Sequence, residues 1–185
     1  MTLRRQLGTA RRCPVFMKAK WIISAFFCTL LLSSLTSFHA LQIKAFREGR
    51  VVFIRVIYPD DRFITKYIHS VEHCPVWEYF RIDENFRILL YETTFSSCNT
   101  GLPYASFGNE KFYNDVNHFR ISNMCRILPE LLLWVNEKYD NSLKINDSQE
   151  LKLPLLAGNT LLQVKTRKVT FLEFIYLKAK IFLEG

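Results

Sequence analysis

From Val51 to Phe95 the chain alternates in a period of two, and turn residues interrupt it at short intervals. Side chains that share a face at every second position define a β-strand, whereas a helix would scatter the same residues around its circumference. Val51–Tyr58 is dense in β-branched and aromatic residues and stops at Pro59-Asp60-Asp61, a strand followed by a turn. Phe63 to Val71 makes a second strand, with Phe63, Thr65, Tyr67 and His69 on one face and Ile64, Lys66, Ile68 and Ser70 on the other. Pro75 has no backbone N–H, so the ladder is expected to break near Cys74-Pro75. Trp77–Asp83 and Arg87–Phe95, joined at Glu84-Asn85, form the clearest hairpin.

Beyond Phe95, the run from Cys98 to Asn109 has no period and reads as a long loop, the kind of segment that is often functional in a compact domain. Further strands are expected at Val116–Ile121, Leu131–Asn136, Ser142–Ile145, Glu150–Leu153 and Thr160–Val164, with turns at Glu137–Asn141 and Asn146-Asp147. This spacing points to an all-β fold, a small antiparallel β-sandwich or barrel-like domain. Thr170 to Leu183 differs. On a helical wheel Glu173, Lys180 and Glu184 fall on one side and Phe171, Phe174, Ile175 and Phe182 on the other. The expectation is a C-terminal amphipathic segment packed over the β core, with a helix lying on a membrane surface as the alternative.

The chain carries a formal net charge of +8, which would suggest nucleic acid if it were spread over the domain. It is not. Arg4, Arg5, Arg11, Arg12, Lys18 and Lys20 precede the first acidic residue, and without those six the 25 basic side chains become 19 against 17 acidic ones. The apolar run Trp21–Leu32 follows directly, which is the layout of an export signal or, extended to Leu41, of a segment about 20 residues long that crosses a bilayer. Either places the N-terminus in the cytoplasm and the remainder outside, with a single-pass anchor in the inner membrane if the segment is retained. The expected organisation is a basic cytoplasmic segment (1–20), an anchor or signal (21–43), an exported β domain (44–168) and a C-terminal tail (169–185).

Candidate chemistry gathers around Tyr67–Phe80. His69, His73 and Cys74 suggest a metal, but residues four apart on one extended strand are separated by roughly 13 Å, too far for two zinc ligands. Neither a metal nor a cofactor is expected, since the chain has no His-Glu-x-x-His, no paired Cys-x-x-Cys and no Gly-rich phosphate loop. Ser70 beside His69 is a poor nucleophile–base pair, because strand neighbours point to opposite faces. Glu72 and Glu78 read first as solvated or ion-paired carboxylates. Once Cys13 and Cys28 are set aside, Cys74, Cys98 and Cys125 remain in an oxidising compartment. One pair at most can form; Cys74 with Cys98 is the bridge considered, against three buried thiols.

The string Tyr67-Ile68-His69-Ser70-Val71-Glu72, then Pro75-Val76-Trp77-Glu78-Tyr79-Phe80, then Gly101-Leu102-Pro103, resembles the bacterial domain-of-unknown-function family 1850. The resemblance runs from about Phe53 to about Val164. It implies a small envelope protein with one N-terminal membrane or signal segment, encoded beside a TAXI-type TRAP transporter, and no general catalytic activity. The expectation is a non-enzymatic periplasmic accessory protein that binds a transporter subunit, a solute-binding protein or the solute, and no nucleic acid. His69, Ser70, Glu72 and Glu78 would form its polar cluster, with Gly101 and Pro103 shaping the facing loop. Two alternatives stay open: an envelope enzyme of hydrolase type using His69 with Glu72 or Glu78 as acid and base, and a structural role in which the cluster anchors the 101–103 loop.

Overall fold

The structure, a computed structural model, describes residues 21–29, 36–69, 71, 73–96, 107–115 and 118–184. Residues 21–29 form helix α1. The strands are β1 (Ser37–Ala45), β2 (Val51–Val56), β3 (Arg62–Ile68), β4 (Pro75–Ile82), β5 (Ile88–Phe95), β6 (Lys111–Asp115), β7 (His118–Ser122), β8 (Arg126–Leu128), β9 (Leu131–Val135), β10 (Ser142–Ile145) and β11 (Leu151–Lys152). A short helix α2 (Leu153–Ala157) precedes the long β12 (Thr160–Thr170), which runs directly into helix α3 (Phe171–Glu184).

All the pairings are antiparallel and fall into two sheets. The smaller has the order β2-β1-β12-β9; the larger runs β11-β10-β3-β4-β5-β7-β6, with β8 also paired to β5. One core joins them. Leu41, Ile43, Leu133, Leu162 and Val164 from the small sheet meet Phe63, Phe80, Phe95, Ile121 and Leu143 from the large one. Phe63 and Phe80 stack at 4.7 Å between ring centroids in the middle of this layer. Asp60, Asn123 and Asn146 sit at positive φ, where a non-glycine backbone is tolerated mainly for Asn and Asp, whereas Phe86 at φ 58 in the β4–β5 turn is a bulky exception.

Strand β1, which starts at Ser37, occupies the last residues of the anchor or signal segment expected over 21–43. Its residues are buried on both sides, Leu41 and Ile43 against the main core and Ala40 beneath α3, so a central strand reads as a continuation of an apolar block. Among the described residues no helix is long and apolar enough to cross a membrane. The strand expected to reach Val71 ends at Ile68, β12 continues six residues past the expected Val164, and the pair β6–β7 occupies the region expected to hold one strand at Val116–Ile121. The tail is a helix, but it lies down on another stripe than the wheel suggested. Phe174, Leu177 and Ile181 cover Ala40, Ile54 and Val169, while Phe171, Ile175 and Phe182 are exposed.

Candidate functional site

The β3–β4 hairpin determines where its side chains go. Thr65 pairs with Glu78, Phe63 with Phe80 and Tyr67 with Val76, so all six share the inner face of the large sheet. On the other side of β4, Glu78 pairs with Thr93. A row Leu143–Thr65–Glu78–Thr93–Ile121 therefore crosses five strands, with fully buried apolar residues at both ends and a carboxylate at the centre. Glu78 is thus no solvated surface glutamate. Period-two geometry turned it inward.

Burial raises the pKa of Glu78 above the ordinary glutamate value, and the nearby Thr65 and Tyr67 hydroxyls only partly oppose that by favouring the anion. The Thr65 hydroxyl is buried and reaches no partner with proper hydrogen-bond geometry, so it cannot do much to hold the charge. Tyr67 is pushed strongly upward too, first by its own burial and then by the Glu78 charge, and stays a neutral phenol across the physiological range. The inner row offers one carboxyl poised to take a proton or a donor, flanked by two hydroxyls.

Tyr67, His69 and Glu78 line one cleft of about 340 Å³. Its opposite wall is Leu131–Trp134 of β9, closed at one end by Tyr139 and Asn141. β9 is the edge strand of the small sheet, and Leu132 and Trp134 are exposed on it. The loop from β9 to β10 is fastened from outside the cleft. Asp140 accepts from Lys66 on β3 at 2.5 Å and from Lys152 at 2.7 Å, and those bonds, Lys152 first, hold its carboxyl down to about 2. Asn141, 4% exposed, ties the same loop to α2 by accepting the Leu153 N–H at 3.0 Å.

Of the residues singled out from sequence, His69 and Glu78 are brought together. Ser70, Glu72, Cys98, Gly101 and Pro103 lie outside the described residues, and with them the facing loop and the Cys74–Cys98 bridge. Strand alternation does not govern His69 and Ser70, since β3 stops at Ile68. Nor does extended-strand spacing separate His69 from His73 and Cys74: the His69 N–H donates to the Cys74 carbonyl and the His73 N–H to the His69 carbonyl, each at 2.9 Å. Among the described residues no group of three or more His, Cys, Asp and Glu side chains is placed to hold a metal ion. Tyr67 and Asn141 were missed. Tyr67 was legible as a face-mate of Phe63 and Thr65; Asn141 was not, because its place depends on the β9–β10 loop meeting a strand far away in sequence.

The molecule is a small two-sheet antiparallel β protein with an acid-bearing cleft between the inner face of one sheet and the edge of the other. Residues 63–153 match the family model described as "Domain of unknown function (DUF1850)", which supports that family for the segment from β3 to the start of α2. Nothing among the curated proteins or the solved structures matches the chain.

Proposed function

We propose that this protein is a non-enzymatic periplasmic accessory protein of a TAXI-type TRAP solute transporter, and that the cleft binds a transporter component or its solute through a cationic or hydrogen-bond-donating group. The observation that carries the reading is Glu78, a carboxyl set on the inner face of a sheet between two hydroxyls and open to a cleft with His69. Such a group favours a partner that brings its own proton or positive charge, because that partner restores what burial took away. The edge strand β9, with Leu132 and Trp134 exposed beside the cleft, adds an apolar rim suited to a protein partner.

The N-terminal charge pattern supports an inner-membrane anchor or signal, with the β domain outside. Two further features agree with that placement. The Phe171 N–H at the start of α3 donates to the Thr36 carbonyl just before β1, so α3 begins where the chain leaves its N-terminal segment. The face of α3 turned from the sheet is apolar, with Phe171, Leu172, Ile175, Tyr176, Phe182 and Leu183 all exposed.

An enzyme using His69 and Glu78 as acid and base is the second reading, favoured by the raised pKa of Glu78 in a cleft. Affinity capture of the full-length protein from native membranes that contain the transporter separates the two. The accessory reading expects transporter subunits or the solute-binding protein to co-purify, and Glu78→Gln to reduce recovery while the protein stays folded. Recovery of neither, from a folded protein, contradicts it.

A further inference from the structure

The outer face of the same hairpin carries a feature that folding alone does not favour. Arg62 on β3 and Arg81 on β4 are direct cross-strand partners, and like charges placed opposite one another destabilise a sheet. Compensation is slight. Arg81 has one ion pair, to the largely exposed Asp60 at 3.7 Å, and Arg62 has none among the described residues.

The two guanidinium groups stand in a groove of about 730 Å³. Next in the cross-strand row is Leu89, and Lys111 and Tyr113 of β6 stand across the groove. The register shift between Tyr79 and Phe80 breaks the regular β4–β5 pairing at Tyr91, whose ring also lines the groove within electrostatic reach of both Arg62 and Arg81. Met124 donates its N–H to the Tyr91 carbonyl at 3.0 Å and lies in the floor, 5% exposed. The far wall is fixed: Asn123, at φ 58, donates from its side chain to the Asn109 carbonyl at 2.8 Å. Glu92 is the one acid among the lining residues. Three cations therefore converge on a groove whose floor is Leu89, Tyr91 and Met124.

We propose that this groove binds a small organic carboxylate, its oxyanion held by Arg62 and Arg81 and its body laid on Leu89, Tyr91 and Met124. Guanidinium forks match a carboxylate in two-point geometry, and a ligand negative charge relieves the Arg62–Arg81 repulsion. Lys111 completes the positive rim. The groove lies on the opposite face of the β3–β4 hairpin from the Glu78 cleft, so the two sites stand or fall separately.

The test uses the full-length protein in lipid nanodiscs, titrated calorimetrically with benzoate and with inorganic phosphate against empty nanodiscs. Saturable benzoate binding is expected, tighter than phosphate, weakening with added salt and falling about tenfold or more in each of Arg62→Gln and Arg81→Gln. Glu78→Gln should leave it unchanged. Both arginines are on the outer face, and Arg62→Gln should melt no lower than the parent, which confirms that a loss of binding is not a loss of fold. The proposal is overturned if benzoate shows no saturable binding or if both arginine variants bind as the parent does. Phosphate binding as tightly as benzoate overturns the role given to the apolar floor.

Discussion

The two faces of the β3–β4 hairpin hold opposite charges under opposite conditions. Inside, one carboxyl sits in a row of hydroxyls and apolar side chains, and burial shifts its titration. Outside, two arginines face each other in solvent, where high dielectric makes their repulsion tolerable. The same alternation produces both. A register slip of one residue would send Glu78 outward and bring Trp77 or Tyr79 in, so core packing at Phe63 and Phe80 is what keeps each charge on its own side.

Phe80→Ala should break the comparison most severely. It removes a fully buried ring stacked on Phe63, and a loss of about 3–5 kcal/mol is expected in urea unfolding, a large part of the stability of a typical domain. An unchanged midpoint would mean that the inner face is not packed as described.

Glu78→Gln tests the inner charge itself. Because the folded pKa is raised, the folded state holds its proton more firmly than the unfolded chain, and the carboxyl's contribution to stability declines as pH rises from the ordinary glutamate value through the raised one. Thermal melts should show that decline in the parent and lose it in the Gln variant. Matching pH profiles would place Glu78 in water.

Asp140→Asn should have a smaller effect, about 1–3 °C in Tm at neutral pH, since its lysine pairs are partly exposed. The sign is opposite to that of Glu78. The Asp140 carboxyl is held down to about 2, so its contribution is fully present above the usual aspartate pKa and is lost as pH falls from there through about 2. Smallest of all is Arg62→Gln, which should raise the stability of the ligand-free protein by less than about 1 kcal/mol by relieving the Arg62–Arg81 repulsion. A fall instead would show that the pair is compensated in the free protein.

The β-rich class and the Trp77–Phe95 hairpin were legible in the sequence, because period two and turn chemistry are local signals. Strand β1 was not. A strand buried on both faces loses its alternation, and here it adjoins an apolar segment, so no local boundary marks Ser37. Part of the described cleft was legible as well: His69 and Glu78 stood out as ionisable groups beside Pro75, but the direction of Glu78 was misjudged, although the Thr65–Glu78 register follows from the hairpin itself. The wall formed by β9 and Asn141 depends on contacts between distant parts of the chain, which no window of sequence contains.

Site-specific photo-crosslinking tests the central claim most directly. A photoreactive residue would replace His69 at the cleft, or Arg81 on the opposite face, in the full-length protein in native membranes that contain the transporter. The account predicts a crosslink from position 69 to a transporter subunit or the solute-binding protein, diminished by Glu78→Gln, and no such product from position 81. Transporter products from position 81 alone, or equal yields with and without the Glu78 carboxylate, would contradict it.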